Sequence, residues 1–191
     1  MSSARSRSDV APLSVPQAAA AIAAAAFAVR PAPRVVVDGR SGAGKTTLVA
    51  ALMRLHPGFQ MVALDDLYPG WDGLHAGAAR ARDDVLAAHA RGVAGSWRRW
   101  DWDAARYAEA HAVDPDRPLV VEGAGALTAR SAALSDVRVW VHADADQRRV
   151  RALARDGATY EPHWERWARQ EAAHIAAHDP PRWADMVIEL T

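Results

Sequence analysis

The sequence predicts an α/β fold, a single domain built on a five-stranded parallel sheet with helices on both faces. Three observations carry this. Short β-branched runs alternate along the chain with helix-length segments, the pattern of strands joined by crossover helices. The runs are near-continuously apolar, as in VVV at 35–37 and LVV at 119–121, which is how strands buried on both faces read. A chain of 191 residues, 50% of them apolar, suits one domain with a sizeable core.

Residues 1–13, rich in Ser and Arg, are expected as a flexible tail, leaving 14–191 as the domain. Arg5 and Arg7 ahead of the alanine run at 18–26 imitate a secretory leader. Alanine is only weakly hydrophobic, however, and SVPQ at 14–17 supplies a helix start: Ser14 as N-cap, Pro16 in the first turn, Gln17 at the capping-box position. Strands are expected at 34–38, 60–64, 119–122, 137–142 and 185–190. A helix after Gly44 places Leu48, Ala51, Leu52 and Leu55 on one face and stops at HPG, 56–58. Residues 76–110 predict an Arg-rich helical region, in which SWRRWDWDAARY (96–107) stands out as an extended stretch with Trp100 and Trp102 on one face. Residues 144–178 predict two helices parted by DGATYEP. In the second, Trp164, Ala168, Ala172 and Ile175 form the apolar face. His174 and His178, beside Glu171, read as a polar helix face because H-E-x-x-H is absent.

With 23 basic against 23 acidic residues and no long block of one sign, neither a nucleic-acid surface nor a polybasic membrane patch is expected. The partner is expected to be a small molecule. No run is apolar enough to span a bilayer, and a cytoplasmic protein is expected. The absence of cysteine excludes disulfides and thiolate metal sites.

The chemistry concentrates in VVVDGRSGAGKTTL, 35–48. Gly39, Gly44, Lys45 and Thr46 fit G-x-x-x-x-G-K-[ST] between a predicted strand and a predicted helix, the context of a P-loop. Glycines there turn backbone N–H groups inward around phosphate oxygens, and the new helix presents its positive end to the same anion. Lys45, the only lysine among 23 basic residues, reaches β and γ phosphates as a compact charge. Thr46 offers a hydroxyl to Mg²⁺. Acids at other strand ends converge on the same sheet edge: Asp65 and Asp66 in VALDDLY, Glu122 in LVVEG. One carboxylate near the metal and one near an acceptor hydroxyl make a phosphoryl-transfer set. Arg148, Arg151 and Arg155 recur at three and four residues and share a helix face. Arg155 is read as a cation for the moving phosphoryl group, and Arg148 as a solvated member of the row, balanced by Asp144 and Asp156.

Over residues 34–190 these motifs resemble the uridine kinase and phosphoribulokinase branch of P-loop kinases. GRSGAGKTT is shared with many P-loop proteins. LDDLY resembles the family's aspartate followed three residues later by Tyr or His, VVEG its second acidic motif, DADQRRVRALARD (144–156) the start of its lid, and WADMVI (183–188) its last strand. SWRRWDWDAARY resembles the family's Tyr-Asp-aromatic stretch, with Trp100, Asp101 and Trp102 in its place. The resemblance implies a three-layer sandwich with strand order 2-3-1-4-5, a lid near 147–163, ATP and Mg²⁺. It implies ATP contacts from Gly39, Ser41, Gly42, Ala43, Gly44, Lys45, Thr46, Thr47, Arg151 and Arg155, and a metal site at Thr46, Glu122 and Asp65. Asp65 is then the base for an acceptor hydroxyl, with Lys45 and Arg155 assisting, and Asp66, Tyr68, Trp100, Asp101 and Trp102 are acceptor-site candidates, with Asp72 or Asp101 on a sugar hydroxyl. Two departures stand out: the family's base-reading histidine falls on Ala105, and WDGLHAGAA (71–79) does not match its aspartate-bearing loop. The expected activity is ATP-dependent phosphorylation of a hydroxyl on a small metabolite, nucleosides first, with a homo-oligomer left open. The alternatives are a kinase for a nucleotide phosphate, held by Arg98 and Arg99, and a non-catalytic ATP-binding regulator.

Overall fold

A computed structural model describes residues 12–191. In chain order its elements are α1 (Val15–Val29), β1 (Arg34–Asp38), α2 (Lys45–Leu55), β2 (Gln60–Ala63), α3 (Leu74–Arg80), α4 (Ala87–Ala90), β3 (Gly95–Asp101), β4 (Arg106–Val113), β5 (Leu119–Glu122), α5 (Ala129–Ala132), β6 (Val137–His142), α6 (Ala145–Tyr160), α7 (Trp164–His178), α8 (Pro180–Trp183) and β7 (Met186–Glu189). Short 3₁₀ turns follow β2 (Leu64–Asp66) and α6 (Glu161–His163), and a π-turn, Ala81–Leu86, joins α3 to α4.

The parallel sheet runs β2-β5-β1-β6-β7. Numbered over its own five strands, this is the expected order 2-3-1-4-5. Val35, Val36 and Val37 of the central strand are all fully buried because both faces are covered. Alternation sends Val35 and Val37 into a layer with Ile22 of α1 and Leu48 and Leu52 of α2, and Val36 into the opposite layer with Leu64, Tyr68, Trp164 and Trp167. Bidentate pairs pin the ends: Arg34 on Asp136 at 2.8 and 3.0 Å, Arg138 on Asp185. α1 starts as read, with the Ser14 N–H donating to Gln17 at 3.0 Å in a capping box.

Residues 1–11 of the expected tail lie outside the described residues, but Leu13 is bridged to Leu190 and extends the sheet edge beside β7. The helical region expected over 76–110 ends at Ala90, where Gly92 (φ 69) takes a left-handed turn. Beyond it, β3 and β4 form an antiparallel hairpin. Cross-strand rings hold it, Trp97 stacked on His111 at 4.5 Å and Trp100 edge-on to Tyr107 at 5.0 Å. These pairings outweigh the helix propensity of the arginines and alanines. The two helices of 144–178 are present, parted at Gly157 (φ 52, ψ −135). The buried face of the second is Trp164, Trp167, Glu171 and His174, not the expected Trp164, Ala168, Ala172 and Ile175. Among the described residues, no helix is long and apolar enough to cross a membrane.

Leu48 is fully enclosed between α2 and the sheet. Leu48→Ala is expected to lower the unfolding free energy by about 2–5 kcal/mol. Urea titration at unchanged slope reads this as a lower midpoint.

Candidate active site

The chain leaves β1 at Asp38 and enters α2 at Lys45 through a loop that two glycines make feasible. Gly44 caps α2 in the left-handed region (φ 101), and at Gly42 (φ 78) a Cβ would stand 2.1 Å from the Arg148 carbonyl oxygen. The start of α2 therefore faces a cavity with open N–H groups and the positive end of the helix dipole.

Buried charges hold this loop from behind. Asp38, 1% exposed, accepts the N–H groups of Gly39, Gly125 and Leu127 at 2.6, 3.0 and 2.8 Å. Glu171, 3% exposed, accepts the Ser41 N–H at 2.6 Å and Arg40 Nε at 2.9 Å. Arg148 donates to the Ser41 carbonyl at 3.3 Å and the Ala143 carbonyl at 3.2 Å. Arg148 is thus buried rather than solvated as its row suggested, and burial pulls its pKa down. His174 is likewise buried, its Nε2 3.7 Å from Asp38 Oδ2, so the expected polar face of α7 is a docking face.

In front of the loop lies a cavity of about 370 Å³. Ser41, Gly42, Gly44, Lys45, Thr46 and Thr47 line one side, Asp65 and Glu122 the strand ends, and Arg151 and Arg155 the α6 side. Gly39 and Ala43 do not line it; Ala43 is packed in the core layer beneath. Thr46 Oγ1 donates to Glu122 Oε1 at 3.2 Å. Burial raises the Glu122 pKa, and Lys45 opposes the shift. A buried carboxylate sharing one polar edge with a hydroxyl suits Mg²⁺, which is held by one or two protein oxygens together with substrate phosphates. Among the described residues, no three His, Cys, Asp or Glu converge as an all-protein metal cage.

A second cavity, about 560 Å³, adjoins the first. Ser41, Asp65, Arg155 and Trp167 line both. Asp65 therefore stands on the shared wall. Asp66 lines neither; burial and the Asp65 charge raise its pKa, while Arg99 and His111 of the hairpin lower it. Tyr68 lines the second cavity and donates its hydroxyl to the Ala124 carbonyl at 2.7 Å. Burial, followed by the charges of Asp65, Asp38, Glu122 and Glu171, drives its phenol well up.

The tryptophan stretch divides. Trp102 lines the second cavity, and its Nε1–H donates to the Asp65 carbonyl at 3.0 Å. Trp100 packs on Tyr107, and Asp101 caps the hairpin turn by accepting the N–H groups of Asp103 and Ala104 at 3.1 and 2.9 Å. Neither lines a cavity, so the expected pairing of Trp100 with Trp102 and a substrate contact from Asp101 are not what the geometry presents. Asp72 is paired with Arg166 at the surface. Trp71, Asp103, Tyr160 and Trp167, which line the second cavity, were not singled out from the sequence. Only the clustering of Trp164 and Trp167 with Tyr160 in one short stretch could have pointed to part of this wall.

No family model matches the chain, and no curated protein matches it by sequence. Solved structures do. A protein described as a possible uridine kinase from Bacillus stearothermophilus superposes with a TM-score of 0.67 at 13% identity, covering 91% of this chain and 98% of its own. A candidate fructose transport system kinase from Silicibacter sp. superposes with a TM-score of 0.61 at 16% identity, covering 92% and 98%. The chain has the fold of a P-loop kinase of the uridine kinase type.

In this kinase fold, α7 joins both cavities. Glu171 holds the P-loop, Trp167 stands in both walls, and Gln170 donates to the Trp71 carbonyl at 2.6 Å. Glu171→Ala strips an acceptor from the Ser41 N–H and a partner from Arg40. It is expected to cost about 1–3 kcal/mol of stability, measured by urea titration, and to weaken ATP binding in calorimetry. Glu171→Gln, which keeps an acceptor for Ser41, should recover part of both.

Proposed function

We propose that the protein is an ATP-dependent kinase that transfers the γ-phosphoryl group to a hydroxyl of a small molecule. The observation that carries this reading is the position of Asp65, a carboxylate in the 3₁₀ turn after β2 on the wall between the P-loop cavity and a separate cavity of acceptor size. A nucleotide-binding regulator has no need of a base facing a second, aromatic-lined cavity.

Each residue then has a task. The P-loop N–H groups and Lys45 hold the β and γ phosphates, with Arg151 and Arg155 on the far side. Thr46 and Glu122 would hold Mg²⁺, which when bound neutralises charge between those phosphates. Asp65 accepts the proton of the acceptor hydroxyl as the new O–P bond forms. The bond from the γ-phosphorus to its bridging oxygen breaks, and ADP leaves with the electron pair. Arg155 faces the phosphoryl group in transit.

The two solved neighbours suggest a nucleoside or a sugar as classes to test first. An anionic acceptor fits less well. Arg99 is committed to Glu109 at 2.6 Å, whose carboxyl it holds well below the usual range, and Arg98 donates to the Ala108 and Tyr107 carbonyls at 2.9 and 3.1 Å. The hairpin arginines thus brace β4 rather than wait for a nucleotide phosphate.

Two variants test the mechanism. Lys45→Ala is expected to weaken MgATP binding in calorimetry and to abolish turnover. Asp65→Asn keeps size and hydrogen bonding but removes the base, so kcat should fall by ~10²–10⁴-fold with ATP affinity nearly kept. Asp66→Asn should change kcat far less. An Asp65→Asn enzyme at wild-type rate overturns the mechanism, and tight ATP binding without transfer to any alcohol returns the reading to a regulator.

A further inference from the structure

The rings around the second cavity have a geometry that separates acceptor classes. Trp71 is the hub. Its ring is tilted 54° to Trp102 at 4.9 Å and stands at 86° to Trp167 at 6.4 Å. Its two near-parallel partners, Tyr160 at 5.4 Å and His163 at 4.3 Å, close directly against it. A flat base sandwiched between rings needs parallel faces about 7 Å apart, twice the ~3.5 Å contact distance of carbon atoms. These pairs leave no such slot. The inclined rings that line the cavity instead form an aromatic-walled box, and aromatic walls suit a compact cation.

The charges agree with the shape. Asp65 and Asp103 line this cavity, and its one lining cation among the described residues, Arg155, sits on the border shared with the P-loop side. The cations of the site, Lys45, Arg151 and Arg155, all line the P-loop cavity, where a polyphosphate would match them. With that match made, the second cavity is left with aromatic faces and carboxylates.

We propose that the acceptor is a cationic alcohol, an ammonium or methylated ammonium seated among Trp71, Trp102 and Trp167 with its hydroxyl directed to Asp65. This rests on the kinase reading and names its substrate class. Trp102 has two duties in it: its ring forms part of the wall of the box, and its Nε1–H holds the Asp65 carbonyl.

The test pairs choline with its neutral carbon isostere, 3,3-dimethylbutan-1-ol, so that only the charge differs. Tryptophan fluorescence reads binding in the presence of MgATP, and ADP formation with detection of the phosphorylated alcohol reads transfer. Choline is expected to bind at least tenfold more tightly than the isostere and to be phosphorylated. Trp102→Ala should bring that ratio close to one, whereas Trp102→Phe, which keeps a ring but loses the Nε1–H, should keep part of the preference while lowering kcat. If the isostere binds as well as choline, or if uridine or fructose is phosphorylated and choline is not, the cationic acceptor is overturned and the kinase stands. If choline binds with the expected preference but no alcohol receives phosphate, the kinase reading falls while the box remains. If choline neither binds nor reacts, the proposal is wrong.

Discussion

Three backbone N–H groups converge on one buried carboxylate, Asp38, and the rest of the site depends on that junction. A loop meant to offer its inner N–H groups to a ligand cannot use them to hold itself, so its fixation has to come from outside. Asp38 supplies it at the first residue of the loop, where the Gly39 N–H is bound, and extends the same grip to Gly125 and Leu127. Those two residues lie just past Glu122. One side chain thereby sets the distance between the P-loop and the strand end that faces it, and the 3.2 Å contact between Thr46 and Glu122 follows. A buried carboxylate is tolerable there because three donors replace its lost water.

The second support is α7, and its arrangement explains why a helix can afford two ionisable groups on its buried face. Glu171 and His174 stand one turn apart, and both meet charged or polar groups of the P-loop base, Arg40 with Ser41 in one case and Asp38 in the other. The same helix sends Trp167 and Gln170 toward the second cavity. Polar residues fix the P-loop side and the indole with its amide neighbour fixes the other. α7 therefore spans the two cavities rather than lining either alone.

What could be read from the sequence divides along physical range. β1, β5 and β6 were readable because VVV, LVV and VRVWV are local runs whose burial on both faces needs no knowledge of partners, and the P-loop was readable because its glycines and lysine act through contiguous backbone. Asp65 and Glu122 followed from the parallel sheet, which gathers strand ends on one edge. The hairpin was readable only in part: 96–107 reads as extended, but its pairing did not show, since Trp97 on His111 and Trp100 on Tyr107 stabilise it only across strands, while its arginines and alanines favour helix locally. The aromatic wall of the second cavity was not readable: Trp71, Trp102 and Trp167 come from three separate segments and meet only through folding. The α7 face misled for a related reason. Apolar periodicity pointed to Ala168 and Ala172, but the helix turns Glu171 inward onto Arg40 and Ser41, and His174 with it to 3.7 Å from Asp38.

The meeting of the two cavities at the α6–α7 junction is the last consequence of this arrangement. Arg151 and Arg155 precede Gly157, and Tyr160 follows it within α6. Gly157 has a backbone conformation (φ 52, ψ −135) outside the helical region, and nothing lies within 4 Å of where its Cβ would be. The break therefore does not arise from crowding; it redirects the chain so that the arginines face the P-loop cavity while Tyr160 lies flat against Trp71 at 5.4 Å. Arg155 and Trp167 line both cavities, so the cationic and the aromatic walls meet at this junction, and Gly157 turns the chain from the one toward the other.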